Sequence, residues 1–143
     1  MQAAASPFAF KVRIYWEDTD AGGIVYYANY LKFMERARTE WLRSIGIEQL
    51  PLQREHGLMF VVVEADTRFR KPARYGELLQ VSCAVARSGR ASLTFKQDIV
   101  REDASRELLV TGQVRVACLD AVRLRPQPLP EILMRELSVA GED

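Results

Sequence analysis

The sequence predicts an α+β fold in which an antiparallel sheet packs against one long helix. Five segments alternate apolar and polar residues as half-buried strands do, and one segment repeats apolar residues at helical spacing. Short polar turns join most of the predicted strands. Short turns favour antiparallel neighbours, and a single helix among consecutive strands is typical of an α+β layer rather than of βαβ units.

The first strand and the long helix come early in the chain. Residues 8–16 alternate, and the side predicted to be buried carries Phe10, Val12, Ile14 and Trp16. Between residues 28 and 45 the apolar side chains recur every three or four positions, at Tyr30, Phe33, Met34, Ala37, Trp41 and Ile45. Gly46 follows, where helices often end on glycine. Such a helix is roughly 27 Å long, enough for a sheet to wrap around it.

The remaining chain is predicted as four strands and their connections. Residues 47–57 connect the helix to the sheet, with one short helical turn after Pro51. The strands are predicted at residues 59–69, 78–86, 91–100 and 108–118. A short terminal helix begins at Glu131, after three prolines. No internal repeat is visible, so we expect residues 1–143 to form one domain, with residues 1–7 as a flexible tail.

Composition argues against several function classes. Apolar residues make up 48% and charged residues 27%, a globular balance without an apolar run that could span a bilayer. The formal net charge is +1 and no long basic run occurs, so we predict no nucleic-acid partner. Residues 1–7 lack the parts of a signal peptide, and Cys83 and Cys118 lack metal-binding spacing. We therefore expect buried, reduced thiols and a cytoplasmic location.

The single histidine limits the possible mechanisms. His56 is the only residue available to a catalytic triad, a histidine dyad or a histidine-rich metal site, so these classes are disfavoured. His56 itself falls in the predicted connection after the helix, where a polar turn residue is the favoured interpretation.

The loop between the first strand and the helix carries the most chemistry. It contains Asp18, Asp20 and two adjacent glycines, Gly22 and Gly23, which allow the chain to fold back toward the helix start. Unpaired N–H groups at that start, around residues 26–28, suit a developing oxyanion. One interpretation makes the acidic residues mere caps and turn formers. The other makes Asp20 the nucleophile or general base of an acyl-transfer site.

A family resemblance favours the second interpretation. Residues 17–40 read E-D-T-D-A-G-G-I-V-Y-Y-A-N-Y-L-K-F-M-E-R-A-R-T-E, which resembles the signature of hotdog-fold acyl-CoA thioesterases of the 4-hydroxybenzoyl-CoA thioesterase type. The run is most similar to the bacterial Tol-Pal-associated branch, and the similarity continues more loosely to about Pro130. The resemblance implies a single hotdog domain, with a curled antiparallel sheet wrapped around one long central helix. It further implies a homodimer or homotetramer with active sites between subunits.

The resemblance also implies the reaction and its residues. An acyl-CoA thioester is hydrolysed, coenzyme A is part of the substrate, and no metal or redox cofactor is needed. Asp20, the second aspartate of the D-x-D pair, acts on the thioester carbonyl, which the backbone amide of Tyr27 polarises, while Asp18 is a loop or capping residue. Close relatives often carry His in place of Tyr27, and some carry Tyr in place of Trp16. These departures argue against proton transfer by either side chain.

Other residues are predicted to bind the substrate. Gly22, Gly23 and Tyr26 belong to the same loop. Coenzyme A carries phosphates, and Arg87 and Arg90 at a hairpin turn are the preferred residues to hold them. The alternative is a basic cluster between residues 68 and 74, made of Arg68, Arg70, Lys71 and Arg74. Two nearby carboxylates either assist catalysis or act as solvated charges, namely Glu17 and Glu35.

Two rival functions stay open. A hotdog dehydratase needs a histidine beside an acidic residue, and residues 15–30 contain none. A non-catalytic module that binds acyl-CoA or acyl carrier protein would share the fold, and only the intact loop around Asp20 argues against it. Acyl carrier protein is also open as an alternative carrier of the acyl group. The sequence does not choose between nucleophile and general base for Asp20, and it does not give the acyl length.

Overall fold

A computed structural model describes residues 8–141, and the predicted tail at residues 1–7 lies outside them. The described part folds into an antiparallel sheet and three α-helices. The strands are β1 (Ala9–Arg13), β2 (Leu58–Phe69), β3 (Leu78–Ser82), β4 (Ala84–Ser88), β5 (Ser92–Arg101) and β6 (Leu108–Asp120). The helices are α1 (Ala28–Ser44), α2 (Gln49–His56) and α3 (Glu131–Gly141).

The sheet has the strand order β1-β3-β5-β6-β2, and β4 also pairs with β5. β3 and β4 lie one after the other along β5, although the sequence predicts one continuous strand over residues 78–86. The interruption lies where side chains replace ladder bonds. The Ser82 hydroxyl accepts the N–H of Asp98 at 3.0 Å, and the Gln97 side-chain amide donates to the Ser82 carbonyl at 3.4 Å. The backbone is therefore satisfied without a regular ladder at this point.

One face of the sheet packs on α1 and forms the core. Phe33, Met34 and Ala37 of the helix join buried residues of the strands in one continuous apolar cluster. Gly112 of β6 allows close approach, because a Cβ at this position would lie 3.2 Å from the Met34 Cε. The predicted α+β fold, with a sheet wrapped around one long helix, is confirmed.

β2 forms an edge of the sheet and returns along the whole length of α1. A bulge between Val62 and Glu64 shifts its register against β6. Residues 60 and 62 before the bulge and 65, 67 and 69 after it all pair with buried positions of β6, so one apolar face is kept toward the helix. Val62 and Val63 nevertheless stay about half exposed, because β2 has no strand beyond it within the described chain.

The sequence predicts α1 well and two other segments less well. α1 ends at Ser44, and Gly46 follows with φ +93, as the helix-stop prediction requires. Trp16, predicted to be buried, is 70% exposed because β1 ends at Arg13 and the chain then turns. The connection at residues 47–57 contains the eight-residue helix α2, with Pro51 in its first turn.

The described residues also bear on three simpler predictions. Cys83 and Cys118 are buried free thiols, as expected, and burial raises the pKa of Cys83 to about 12. His56 is the exposed last residue of α2. Between residues 8 and 141, no helix is both long and apolar enough to cross a lipid bilayer.

Candidate active site

Asp18 fastens the acidic loop to the start of α1. Its carboxylate accepts the N–H of Tyr15 at 2.8 Å, which closes the short 3-10 turn Trp16–Asp18. Its carbonyl oxygen accepts the N–H of Tyr26 at 2.9 Å and the side-chain amide of Asn29 at 2.9 Å. Asp18 is therefore a capping residue, as predicted, and its carboxylate is occupied in holding the turn.

Asp20 stands at the tip of the loop in a tight turn. Its N–H donates to the Ile24 carbonyl at 2.9 Å, and its carbonyl accepts the N–H of Gly23 at 3.0 Å. Its Oδ1 accepts the N–H of Gly22 at 2.8 Å. Within the described chain no hydrogen bond engages its Oδ2, and the side chain is exposed. One carboxylate oxygen therefore orients the group while the other faces solvent.

The turn requires a glycine at position 23 and is crowded at position 22. Gly23 has φ +81, a left-handed conformation that other residues rarely adopt. A Cβ on Gly22 would lie 3.3 Å from the Asp20 Oδ1, so a side chain there would crowd the carboxylate. The sequence prediction that Gly22 and Gly23 fold the loop around Asp20 agrees with this geometry.

The start of α1 leaves backbone donors open. Tyr27 precedes the helix in helical conformation, and no side chain caps it. The first paired amides are those of Asn29 and Tyr30, which donate to the carbonyls of Tyr26 and Tyr27. Among the described residues, the N–H groups of Tyr27 and Ala28 find no acceptor. Such free amides at a helix N-terminus favour a negatively charged oxygen.

The segment that follows β2, at Ala73 and Arg74, packs against the loop. The N–H of Val25 donates to the Ala73 carbonyl at 2.9 Å, and Ile24 forms a bridge with Arg74. The Tyr30 hydroxyl accepts the N–H of Ala73 at 3.0 Å, and burial raises the pKa of this phenol. The segment after β2 thus holds the part of the loop that leads into α1.

Aromatic rings flank the loop on two sides. Tyr27 is 60% exposed, and its ring meets Phe69 edge to face at 5.8 Å between centroids. On the other side Trp16 stacks on Tyr75 at 4.1 Å. Sequence reasoning did not connect Phe69 or Tyr75 with the site, because both lie more than 40 residues further along the chain. Their only sequence signal is an aromatic residue at a strand end or in a turn.

The structure separates the arginine pair from the loop within one chain. Arg87 lies in β4, whose partner residue Thr94 is near the start of β5, and Arg90 follows in the turn. The loop instead adjoins Arg74, close to where β3 pairs with Arg101 at the end of β5. These two ends of β5 are roughly 25 Å apart. Phosphate binding by Arg87 and Arg90 stays a prediction.

The alternative basic cluster lies closer to the loop. Arg70 and Lys71 follow Phe69, and their N–H groups both donate to the Leu109 carbonyl. The Lys71 ammonium pairs with Glu107 at 3.8 Å. Arg74 has an exposed side chain and forms a backbone bridge with Ile24 of the loop, so one basic group lies beside the loop.

Glu17 and Glu35 have different surroundings. Glu17 is exposed in the 3-10 turn. Glu35 lies two helical turns inside α1 and accepts a hydrogen bond from the Thr39 hydroxyl at 2.8 Å. Neither side chain hydrogen bonds to Asp20. In the part of the chain that the structure describes, no group of three or more His, Cys, Asp or Glu could hold a metal ion.

A groove runs along α1 and β2, and its nearer end begins at Leu31, one helical turn after Tyr27. Near the helix start its residues are Leu31, Lys32, Ala65 and Val114, and at the other end they are Leu42, Phe60, Leu93 and Phe95. Arg38 lines the groove at its middle and is only 9% exposed. Sequence reasoning did not assign this arginine, yet a signal existed. It stands four residues after Met34 and four before Leu42, on the apolar face of the helix.

Comparisons with known proteins agree with this architecture. A model of the thioesterase superfamily matches residues 22–107. The acyl-CoA thioester hydrolase YbgC of Escherichia coli O6:H1 is 40% identical over 129 residues, which cover 90% of this chain and 94% of the relative. A probable thioesterase from Bartonella henselae superposes with a TM-score of 0.75 at 33% identity, over 87% of this chain and 100% of that one.

A further solved structure supports the fold alone. The 1,4-dihydroxy-2-naphthoyl-CoA thioesterase from Synechocystis has a TM-score of 0.85 at 22% identity, over 93% of this chain and 96% of that chain. The sheet wrapped around α1 is the hotdog fold that the sequence resemblance implies.

Proposed function

Because this chain belongs to the thioesterase superfamily, we propose that it hydrolyses acyl-CoA thioesters to a free carboxylic acid and coenzyme A. The family makes the chain a thioester hydrolase, and acyl-CoA is the substrate class in the name of the Escherichia coli relative. The observation that carries the proposal is the pairing of Asp20 with open helix amides. The Asp20 carboxylate, with one oxygen free of hydrogen bonds, lies at the tip of the loop, and two unpaired N–H groups lie where the loop enters α1.

The proposed mechanism gives each of these groups one role. The thioester carbonyl oxygen accepts the N–H of Tyr27, so that negative charge developing on it meets the positive end of the helix. Asp20 then acts through its free Oδ2, either on the carbonyl carbon directly or on a water molecule. In the first case water opens an acyl-enzyme anhydride, and in the second no covalent intermediate forms. The thiolate of coenzyme A leaves in both cases.

The loop residues around Asp20 have supporting roles in this proposal. Gly22 and Gly23 hold the carboxylate in place and leave space for the substrate next to it. The exposed rings of Tyr26 and Tyr27 border the helix start, where the acyl group enters. Since the polarising donor is a main-chain amide, the tyrosine at position 27 is compatible with activity.

We further propose that the active unit is a homodimer or homotetramer in the cytoplasm. β2 is a twelve-residue strand at a sheet edge, with Val62, Val63 and Phe69 about half exposed, which supports pairing with a second copy. Such pairing would place the groove along α1 between two subunits. Acyl carrier protein as an alternative carrier, and an association with the Tol-Pal system, stay predictions.

An acyl-CoA panel tests the proposal. Free thiol is measured while the protein meets straight-chain and aromatic acyl-CoA substrates of increasing size. Hydrolysis of at least one substrate with saturation kinetics is expected, and its dependence on acyl size maps the groove. Tight binding of acyl-CoA without thiol release would instead support a binding module.

A further inference from the structure

A groove follows α1 from Leu31, one helical turn after Tyr27, to Leu42 near the other end of the helix. β2 runs back along the helix, so Phe69 lies beside Tyr27 at one end and Phe60 lies near Leu42 at the other. The part nearer the site is an open cavity of about 490 Å³, and the part beyond it is a smaller cavity of about 90 Å³. The two cavities share three lining residues, Glu35, Arg38 and Val62, and these mark the middle of the groove.

Arg38 is a buried cation at this middle point. Its Nη1 donates to the Gln97 Oε1 at 3.0 Å, and the Gln97 side chain in turn donates to the Met34 carbonyl at 3.0 Å. Gln97 is fully buried, so the guanidinium is attached to a rigid part of the core. The side chain of Arg38 therefore has a fixed position rather than a range of surface rotamers.

The charge of Arg38 has no carboxylate partner within 4 Å among residues 8–141. The nearest acidic side chain on the same helix is Glu35, which accepts the Thr39 hydroxyl through Oε2 and acts on Arg38 through its charge without forming a salt bridge. In this part of the chain every fully buried side-chain nitrogen has a hydrogen-bond partner. The Nε and Nη2 of Arg38 form no such bond, so they must reach the space of the groove.

A mostly buried guanidinium with two donors open to a groove is a site suited to an anion. Burial lowers the pKa of Arg38 from its usual value, yet a guanidinium stays protonated under ordinary conditions. Desolvation of a lone charge is costly, and an anion placed against it recovers part of that cost. The planar fork of donors matches a carboxylate in particular. The apolar part of the surrounding wall is formed by Leu31, Val62, Ala65 and Val114, and Lys32, Glu35 and Arg36 also line the cavity.

We propose that Arg38 recognises a carboxylate at the far end of the acyl group. The preferred substrates would then be thioesters of dicarboxylic acids, with an apolar stem along the groove, rather than plain fatty acyl thioesters. Eleven residues of helix separate Tyr27 from Arg38, roughly 16 Å, and the side chain leans back toward the helix start. The inference rests on the proposed thioesterase function and adds the substrate class to it.

The test compares length-matched pairs of plain acyl-CoA and ω-carboxyacyl-CoA substrates. For the wild type we expect kcat/KM to favour the carboxylated member by roughly ten- to hundred-fold at the length that reaches Arg38. Arg38→Met should abolish this preference, mainly through KM. Arg38→Lys should retain part of the preference. Arg43→Met removes an exposed guanidinium from the same helix and should leave the preference unchanged.

The outcomes separate this inference from the proposed function. Hydrolysis of plain acyl-CoA with no preference for any carboxylated partner overturns the role of Arg38 and leaves the thioesterase proposal standing. The same result is expected if a carboxylate of a second subunit occupies the guanidinium. Absence of hydrolysis for every acyl-CoA overturns both proposals. If Arg38→Met does not fold, the wild-type comparison can still overturn the proposal, and a preference left unchanged in Arg38→Lys would also overturn it.

Discussion

Asp20→Asn should remove nearly all thioester hydrolysis while the fold stays intact. The carboxylate Oδ1 accepts the N–H of Gly22 at 2.8 Å, and an asparagine side-chain oxygen can accept the same hydrogen bond. The two main-chain bonds that close the turn, with Ile24 and Gly23, do not involve the side chain at all. The midpoint of thermal unfolding should therefore remain close to that of the wild type.

The expected loss of rate follows from the role of the free oxygen. An amide neither attacks a thioester effectively nor accepts a proton from water at neutral pH. Loss of a positioned base typically lowers the rate on the order of 10²–10⁴-fold, which raises the activation barrier by about 3–5 kcal/mol. The amides at Tyr27 and Ala28 and the groove are unchanged, so KM should change little. The decrease should appear in kcat, measured by thiol release.

Asp18→Asn is the matched control two residues earlier. Its main-chain carbonyl keeps the bonds to Tyr26 and Asn29, and an amide oxygen can still accept the N–H of Tyr15. We expect kcat to stay within a few-fold of the wild type. Near-normal rates for both variants would refute the catalytic assignment of Asp20. Loss of activity in Asp18→Asn alone would require the two aspartates to exchange roles.

Two further variants and one measurement of oligomeric state test other parts of the structure. Replacing both Arg87 and Arg90 by Ala should raise KM for acyl-CoA and leave kcat comparatively intact, because contacts to a remote phosphate stabilise the ground state and the transition state equally. Unchanged kinetics would move the phosphate site toward residues 68–74. Light scattering should find a dimer or a larger species, and a fully active monomer would contradict pairing through β2. Gly112→Ala should lower the free energy of unfolding by about 1–3 kcal/mol in urea denaturation, since the new Cβ would lie 3.0 Å from the Thr67 Cγ2. A variant as stable as the wild type would show that the core relaxes around a methyl group.

The comparisons strengthen the fold and the reaction class more than the individual residues. The superfamily match covers residues 22–107, which include α1 and strands β2 to β5 but begin two residues after Asp20. It supports thioester hydrolysis as the chemistry of this scaffold. The family match does not identify the acyl group of the substrate. That choice depends on the side chains that line the groove between α1 and β2. Arg38 and the length-matched substrate pairs address that question directly.

Local patterns in the sequence determined the main elements and the loop. Apolar spacing over residues 28–45 and Gly46 were enough to predict α1, because helix formation depends on near neighbours and on the residue that stops it. The loop geometry was equally local. Asp20 bonds to Gly22 two residues away, and the positive φ of Gly23 requires a glycine, so the sequence encodes this turn almost by itself.

Tertiary structure decided what approaches the loop from elsewhere in the chain. Phe69 reaches Tyr27 because β2 returns along α1, and the bulge in β2 that keeps its apolar face inward depends on pairing with β6. Trp16 turned outward because β1 stops at Arg13, where the chain leaves the sheet for the loop. Arg38 lies on the apolar face of its helix, yet only its hydrogen bond to Gln97, 59 residues away, gives the charge a fixed place in the groove. Contacts between distant segments depend on the packing of whole elements, and a local pattern does not contain that information.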